Sequence, residues 1–396
     1  MDKNKDISYR ISVLDKCIAN LITQAKASEL LNISLRQTQR LIKNYRKQSK
    51  AGLFHKLSHR PSNHTIDKEI REKVLKLAEK KYYDFNPTLM SECLQKEEKI
   101  EVNSFTLRLW LKKEKLIIRL RKRKSYRTKR ERKEYFGEML QIDGSFHEWF
   151  IGSSVVNKED RKACLINLAD DATNTIELLF DKQETTKCAS LLLWKWIKKY
   201  GIPQSIYCDK RNMYSTEKDK EKNSLNGEGG YFRTLCDNLN IRIIQANSPQ
   251  AKGRVERSNG VHQDRLVKLM RLKNITNIGE ANEYLINEYT EEHNNRFSLI
   301  KALNEKLINK ETGLEIIDVH RRLNDNITLN DICYMEEARK VNNDWTAYYK
   351  GEGYQLKKQS QCHPPTKSIV YVRRDIDGNV SIFYRNIRIE YTVVKR

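Results

Sequence analysis

The chain has 396 residues, with 75 Lys+Arg against 52 Asp+Glu, a formal net charge of +23 and 38% hydrophobic residues. This length suggests two to four domains, and the apolar share supports buried cores rather than a disordered chain. No apolar run reaches the roughly 18 residues of a membrane span. The N-terminus MDKNKDISYR has no secretory apolar stretch. The eight cysteines never form a CxxC pair, so they read as reduced cytosolic thiols, not a disulfide framework or zinc site. The excess of positive charge predicts a polyanionic partner, most simply nucleic acid.

Taken in chain order, the first expected domain is a helix-turn-helix within residues 1–50. In Ile22–Gln48, Ala25, Leu30 and Leu31 offer an apolar face and the small Ala27 suits close packing. A break follows at Asn32-Ile33-Ser34, where the Ser34 hydroxyl can accept first-turn N–H groups of a second helix. That helix would turn Leu35, Thr38, Leu41 and Ile42 inward. Arg36, Gln37, Gln39, Arg40 and Lys43 would face out, as donors suited to base edges and phosphates. A second, winged-helix-like unit is expected over 64–116. Its helices are Asp67–Lys80, Thr88–Lys96 opened by Asn86-Pro87, and Phe105–Lys115 capped by Ser104. Between the units, Ser58–Asn63 reads equally as a minor-groove arm or a surface loop.

Residues 112–133 hold 13 Lys/Arg and two Glu, almost half of the net charge. Charge this dense resists compact packing unless an anion neutralises it. The segment 117–134 is therefore expected to be a basic linker tracking a phosphate backbone. Arg121, Arg123, Arg127 and Arg130 are its candidate contacts, and binding should be strongly salt-dependent.

From residue 135 to about 300 the pattern becomes mixed α/β. Strands are expected at Met139–Ile142, Ala163–Leu168, Thr175–Phe180, Gln204–Cys208 and Ile241–Ile244. Helices are expected at Thr185–Tyr200, Gly230–Leu239 and Ser248 to about Leu272. This order implies an α/β sandwich around a mixed sheet. Asp143 ends the first strand and Asp209 the fourth, the ends where such sheets place ligands. If those strands are neighbours, both carboxylates share one edge. On the last helix, Ala251, Val255, Ser258, His262, Leu266 and Leu269 form a buried stripe; Lys252, Glu256, Asn259 and Gln263 form another. Three carboxylates without His or Cys companions suit a hard divalent ion such as Mg²⁺. Two such ions about 4 Å apart can activate an oxygen nucleophile and stabilise a leaving oxygen. Asp170-Asp171, Glu148, Asp160 and Glu184 are rival acids, and the residues alone leave this choice open.

QIDGS at 141–145, with Trp149 soon after, YCDK at 207–210 and SPQAKGRVERSNG at 248–260 together resemble the DDE transposases of bacterial insertion sequences, closest to the ISNCY type. These belong to the retroviral-integrase superfamily. The resemblance extends to YTEEHNNRF at 289–297, Asp318–Arg321 and Lys340–Leu356, and so covers nearly the whole chain. It implies an RNase H-like core at 135–300 in which Asp143, Asp209 and Glu256 are the catalytic, metal-holding triad. It also implies two Mg²⁺ ions, replaceable by Mn²⁺. Lys252, Arg254 and Asn259 would lie near bound DNA ends, and Gly253 would let backbone approach closely. The interval between Asp209 and Glu256 is longer than is usual in the superfamily, and Ser215–Gly229 is the candidate insertion.

A helical connector is expected at 301–339 and a small β-barrel at 340–396, with Asp377-Gly378 as a hairpin turn. The expected protein is multidomain: N-terminal all-α helix-turn-helix units, a central α/β RNase H-like (integrase) core and a C-terminal small β-barrel. It would be a bacterial cytoplasmic, nucleoid-associated transposase, with no membrane partner. It would bind double-stranded DNA as terminal inverted repeats and as target, cut by Mg²⁺-dependent hydrolysis and join the 3′-OH ends, working as a homodimer or larger synaptic assembly. A helix-turn-helix regulator with an inactive core, or a nuclease without strand transfer, are the alternatives.

Overall fold

The computed structural model describes residues 3–53, 66–117, 131–151, 160–209, 230–245, 253–303, 306–358 and 363–394. Outside them lie Arg121, Arg123, Arg127 and Arg130 of the expected linker, the 58–63 connector, the 215–229 insertion and Lys252. The chain divides into two compact units, Met1–Lys80 and Lys81–Arg396. Among the described residues no helix is long and apolar enough to cross a membrane.

In the first unit, helices α1 (Lys3–Ile18), α2 (Gln24–Leu31), α3 (Leu35–Gln48) and α4 (Lys68–Lys80) are present. Asn32 leaves α2 in the left-handed conformation (φ 51°). Ser34 then caps α3 by accepting from the Gln37 N–H at 3.3 Å, so the break falls where capping chemistry predicts it. The small core is Val13, Leu14, Cys17, Ala27 and Ile42. Two expectations change. Helix α1, unforeseen, supplies Val13, Leu14 and Cys17. Ala25, Leu30 and Leu35, expected inside, are exposed, because α2 meets its neighbours on the Ala27 side.

The second unit opens with α5 (Pro87–Glu97) and α6 (Ser104–Lys113). Asn86 caps α5 by accepting from the Leu89 N–H at 2.9 Å. The cap of α6 is Asn103, accepting from Phe105 N–H at 2.8 Å, and not Ser104, which already lies in the helix. The stretch expected as a second helix-turn-helix therefore spans the division between units.

A five-stranded sheet follows: β1 (Leu140–Glu148), β2 (Lys162–Asp170), β3 (Ile176–Asp181), β4 (Ser205–Cys208) and β5 (Arg242–Gln245), in spatial order β3-β2-β1-β4-β5. The first three pair antiparallel, while β4 pairs parallel with both β1 and β5. Helices α7 (Thr186–Tyr200), α8 (Gly230–Asn238) and α9 (Gly253–Leu272) accompany it. The sequence ends β1 at Asp143. In the structure β1 runs on to Glu148, because β2 pairs with it over all nine residues.

Beyond α9 come α10 (Ile278–Tyr284), a π turn at Leu285–Tyr289 and α11 (Thr290–Phe297). The 301–339 stretch is not a helical connector. It holds most of the hairpin β6 (Ile300–Leu303) and β7 (Lys306–Asn309), a one-turn helix at Leu329–Ile332, and most of β8 (Tyr334–Lys340). Strand β8 is claimed by the C-terminal region, because it pairs with β11 over seven residues.

That region contains β9 (Thr346–Tyr349), β10 (Glu352–Leu356), β11 (Ile369–Asp375), β12 (Val380–Tyr384), β13 (Ile387–Ile389) and β14 (Tyr391–Val394). They form a three-stranded sheet, β14-β10-β9, and a four-stranded sheet, β13-β12-β11-β8. The two share a core that includes Val341, Tyr354, Val370, Val372 and Ile382. Among the described residues this is a pair of sheets and not the closed barrel expected. The last stretch breaks at Glu390 into β13 and β14, one in each sheet. The Asp377-Gly378 turn between β11 and β12 is as foreseen, with Gly378 at φ +93°.

Candidate active site

Strand alternation decides which side chains reach the site. Leu140 and Ile142 of β1, with Ile206 and Cys208 of β4, lie in the apolar core with Leu192, Trp196, Phe232 and Leu235 of α7 and α8. Gln141, Asp143 and Ser145 must then take the other face, together with Tyr207 and Asp209. Strands β1 and β4 pair with Leu140 opposite Ile206 and Gln141 opposite Tyr207. Carrying that register on by two residues sets Asp143 opposite Asp209.

Helix α9 covers this second face. The Val255 N–H donates to Gln141 Oε1 at 3.3 Å, Asn259 Nδ2 to Asp143 Oδ2 at 2.9 Å and Gln263 Nε2 to Ser145 Oγ at 2.9 Å. Glu256 stands in the first turn of α9 and is exposed. Val255, His262 and Leu266 are buried, as the apolar stripe requires. Asn259 is buried with them, because the face of the sheet beneath it is itself polar. Among the described residues, no three His, Cys, Asp or Glu side chains converge where they could hold a metal ion. Continuing the alternation of β1 and β4 points Asp143 and Asp209 toward the same face, and Glu256 stands in the first turn of the helix whose Asn259 reaches Asp143, but the three do not close on one point.

The rival acids separate by environment. Asp170 is buried and accepts from the Gly137 and Thr173 N–H groups at 3.0 and 2.8 Å. Burial pushes its carboxyl up to about 7. The Asp171 side chain is fully buried and accepts from Gln141 Nε2 at 2.6 Å, the Lys133 N–H at 2.9 Å and the Arg254 guanidinium. This pair is spent on holding the domain together. Glu148 and Asp160 are exposed. Glu184 is different: a Cβ on Gly144 would stand 2.6 Å from its Cδ. Only glycine in QIDGS lets that carboxylate approach the strand carrying Asp143.

Several DNA-contact expectations change in kind. Arg36, Gln37, Arg40 and Lys43 are exposed along α3, as expected. Arg254 instead turns inward to Asp171, with 15% of its side chain exposed. Asn259 turns inward to Asp143. Sequence reasoning missed the partners Gln141, Asp171 and Asn167. The one available signal was a run of polar residues, Gln141, Asp143 and Ser145, at period two in an otherwise apolar strand.

A second buried polar group lies further along α9. His262 Nδ1 is 2.9 Å from the Tyr289 hydroxyl, and its Nε2 is 3.1 Å from Ser258 Oγ. Burial drives the His262 imidazole well below its ordinary range and His293 down to about 3. Both rings are therefore neutral at physiological pH.

Two relatives extend over most of the chain. y4bF of Sinorhizobium fredii (strain NBRC 101917 / NGR234), assigned as a transposase, is 32% identical over 390 residues, which are 97% of this chain and 80% of that protein. The transposase for insertion sequence IS1202 of Streptococcus pneumoniae is 27% identical over 392 residues, 89% of this chain and 77% of that protein. The chain belongs to the transposases of bacterial insertion sequences. No family model matches it. Among solved structures, the HTLV-2 integrase catalytic core domain in complex with magnesium aligns with 44% of this chain and 94% of its own, at 16% identity and a TM-score of 0.30. Likeness at that level carries no weight for fold or activity.

Proposed function

We propose that this chain is a DDE transposase that binds the terminal inverted repeats of its own element, cuts their 3′ ends and joins them to target DNA. The observation that carries the reading is the register of β1 and β4. Continued by two residues, it would set Asp143 opposite Asp209, with Asp143 hydrogen-bonded to the helix whose first turn bears Glu256. The strand order, three antiparallel strands followed by two parallel ones on the far side of the first, supports an RNase H-like core.

Asp143, Asp209 and Glu256 would hold the divalent cations. Their donors are carboxylate oxygens without His or Cys, the set that Mg²⁺ prefers and Mn²⁺ accepts. Bound there, such ions would supply charge stabilisation for a phosphodiester displacement and an activated oxygen nucleophile. The chain's own part is to orient. Asn259 and Gln263 fix the Asp143 strand to α9, and Gln141 joins that strand to the helix N-terminus. DNA would be held by Arg36, Gln37, Arg40 and Lys43, and by Arg121, Arg123, Arg127, Arg130 and Lys252. Two element ends must be held at once, so a homodimer or larger assembly is the working form.

The test is an assay with end-repeat DNA and Mg²⁺ or Mn²⁺. Asp143→Asn, Asp209→Asn and Glu256→Gln should each lower cleavage and joining by at least about 10³-fold. Binding to the repeats should remain. Cleavage and joining at wild-type rates in all three would overturn the site. Cleavage without joined products in the wild type would leave a nuclease.

A further inference from the structure

The carboxylate of Asp143 stands at one end of a hydrogen-bond chain that runs between one face of the sheet and α9. Asn259 Nδ2 donates to Asp143 Oδ2 at 2.9 Å, and Asn167 Nδ2 donates to Asn259 Oδ1 at 3.0 Å. Asn167 Nδ2 also donates to Ser258 Oγ at 2.9 Å. Ser258 Oγ is 3.1 Å from His262 Nε2, and His262 Nδ1 is 2.9 Å from the Tyr289 hydroxyl. Asn167, Asn259, His262 and Tyr289 are all buried. Asn167 lies directly opposite Asp143 in the β1–β2 ladder, so the two side chains share a face as neighbours.

The chemistry of these groups gives the chain one sense. A carboxylate accepts and cannot donate, so Asn259 must turn its amide nitrogen to Asp143. Its oxygen then faces Asn167, which must also present nitrogen, since the reverse would set oxygen against oxygen. The Ser258 hydroxyl, having accepted from Asn167, donates to His262 Nε2. The neutral imidazole then donates from Nδ1 to Tyr289. One atom is left over: Asn167 Oδ1 is buried with no partner among the described residues.

We infer that Asn167, acting through Asn259, is a positioning residue that fixes the rotation of the Asp143 carboxylate for cation binding. This rests on the reading of Asp143 as a metal-holding residue. Asn259, which the family pattern put near DNA ends, is thereby the intermediary and not a DNA contact. Partners of this kind around a metal ligand typically set affinity within a range of about 10–100-fold.

The test titrates Mn²⁺ into the full chain and reads free Mn²⁺ by electron paramagnetic resonance, with unfolding temperature measured without metal. Asn167→Leu and Asn259→Leu keep the branched side-chain shape and remove the amides. Each should weaken Mn²⁺ binding by about 10-fold. The double variant should be no weaker than Asn259→Leu alone, because Asn167 acts only through it. Wild-type affinity in Asn167→Leu, or losses that multiply in the double variant, would overturn the inference. Ser258→Ala keeps the amide pair and frees Asn167 from its second acceptor. It should lose about threefold, and an unchanged affinity there overturns the inference should Asn167→Leu not fold. Asp143→Asn separates the two readings. If it binds Mn²⁺ as tightly as wild type, the site itself is wrong. If it abolishes binding while Asn167→Leu does not weaken it, only the positioning role fails.

Discussion

The two faces of the five-stranded sheet differ around Asp143: elsewhere the second face carries an apolar cluster of its own, with Leu165, Ala169, Ile176 and Leu178 beside Leu266 and Met270, but next to Asp143 it is polar. Under α7 and α8 the face is apolar, with Leu140, Ile142, Ile206 and Cys208 packed against Leu192, Trp196 and Phe232. Under the N-terminal half of α9 the same strands present Gln141, Asp143, Ser145 and Asn167, tied by hydrogen bonds to Asn259 and Gln263. Burial of apolar area favours folding on the first face. On the second, desolvated polar groups roughly cancel their own hydrogen bonds. A protein keeps such a face for what it orients, and here it orients Asp143.

The largest effect should come from breaking the apolar face. Trp196→Ala removes a fully buried ring and should cost about 3–5 kcal/mol in denaturant unfolding. A loss under about 1 kcal/mol would mean that this face is not the mechanical core. Next, Arg254→Leu leaves the fully buried Asp171 carboxylate without its guanidinium. It should cost about 3 kcal/mol, whereas replacing Arg254 and Asp171 together by Leu should restore much of it.

The third effect is pH-dependent. Burial holds the folded His293 down to about 3, while the unfolded chain takes up its proton near pH 6.5. The contribution is therefore fully present above pH 6.5 and is lost as pH falls from there toward 3, by at most about 1.4 kcal/mol per unit. His293→Phe should flatten that acid slope, and an unchanged slope would place the sensitivity elsewhere. Smaller still, the double variant Asn167→Leu with Asn259→Leu should shift metal-free stability by less than about 1 kcal/mol. That outcome would sharpen the contrast between the faces. Smallest, Arg36→Ala with Arg40→Ala on the exposed side of α3 should stay within about 0.5 kcal/mol in stability. The same pair should weaken binding to repeat DNA and flatten its salt dependence.

What could be read from sequence follows local chemistry. Ser34, Asn86 and Thr185 cap their helices through their own side chains, which depends on neighbours within three residues. Strand alternation and the α9 stripes give the expectation of a polar layer between Asp143 and α9, where Asn259 and Gln263 meet the strand. Features set by distant partners were not legible. Strand β1 continues past Asp143 because β2 is long enough to pair with it, although Gly144 and the exposed Phe146 end its apolar pattern. The exposure of Ala25, Leu30 and Leu35 depends on where α1 packs. Arg254 reads as a free cation in a basic motif, and only the fold reveals Asp171 beneath it. The four-stranded C-terminal sheet needs β8, whose sequence YMEEARK is mostly charged and reads poorly as a strand.

The π turn at Leu285–Tyr289 has a further consequence. It is one residue wider than an α turn, and it sets the phase of everything after it: Tyr289 toward His262, and Asn294 against β3, where it exchanges hydrogen bonds with the Ile176 backbone at 2.8 and 2.9 Å. Ile286, within the turn, is 60% exposed, so substitutions there should be silent. Deleting it would restore an α turn and rotate α11 by about 100°, withdrawing His293 and Asn294 from the core together. The helix therefore acts as a counting device, tolerant of what stands at position 286 but not of the loss of that position.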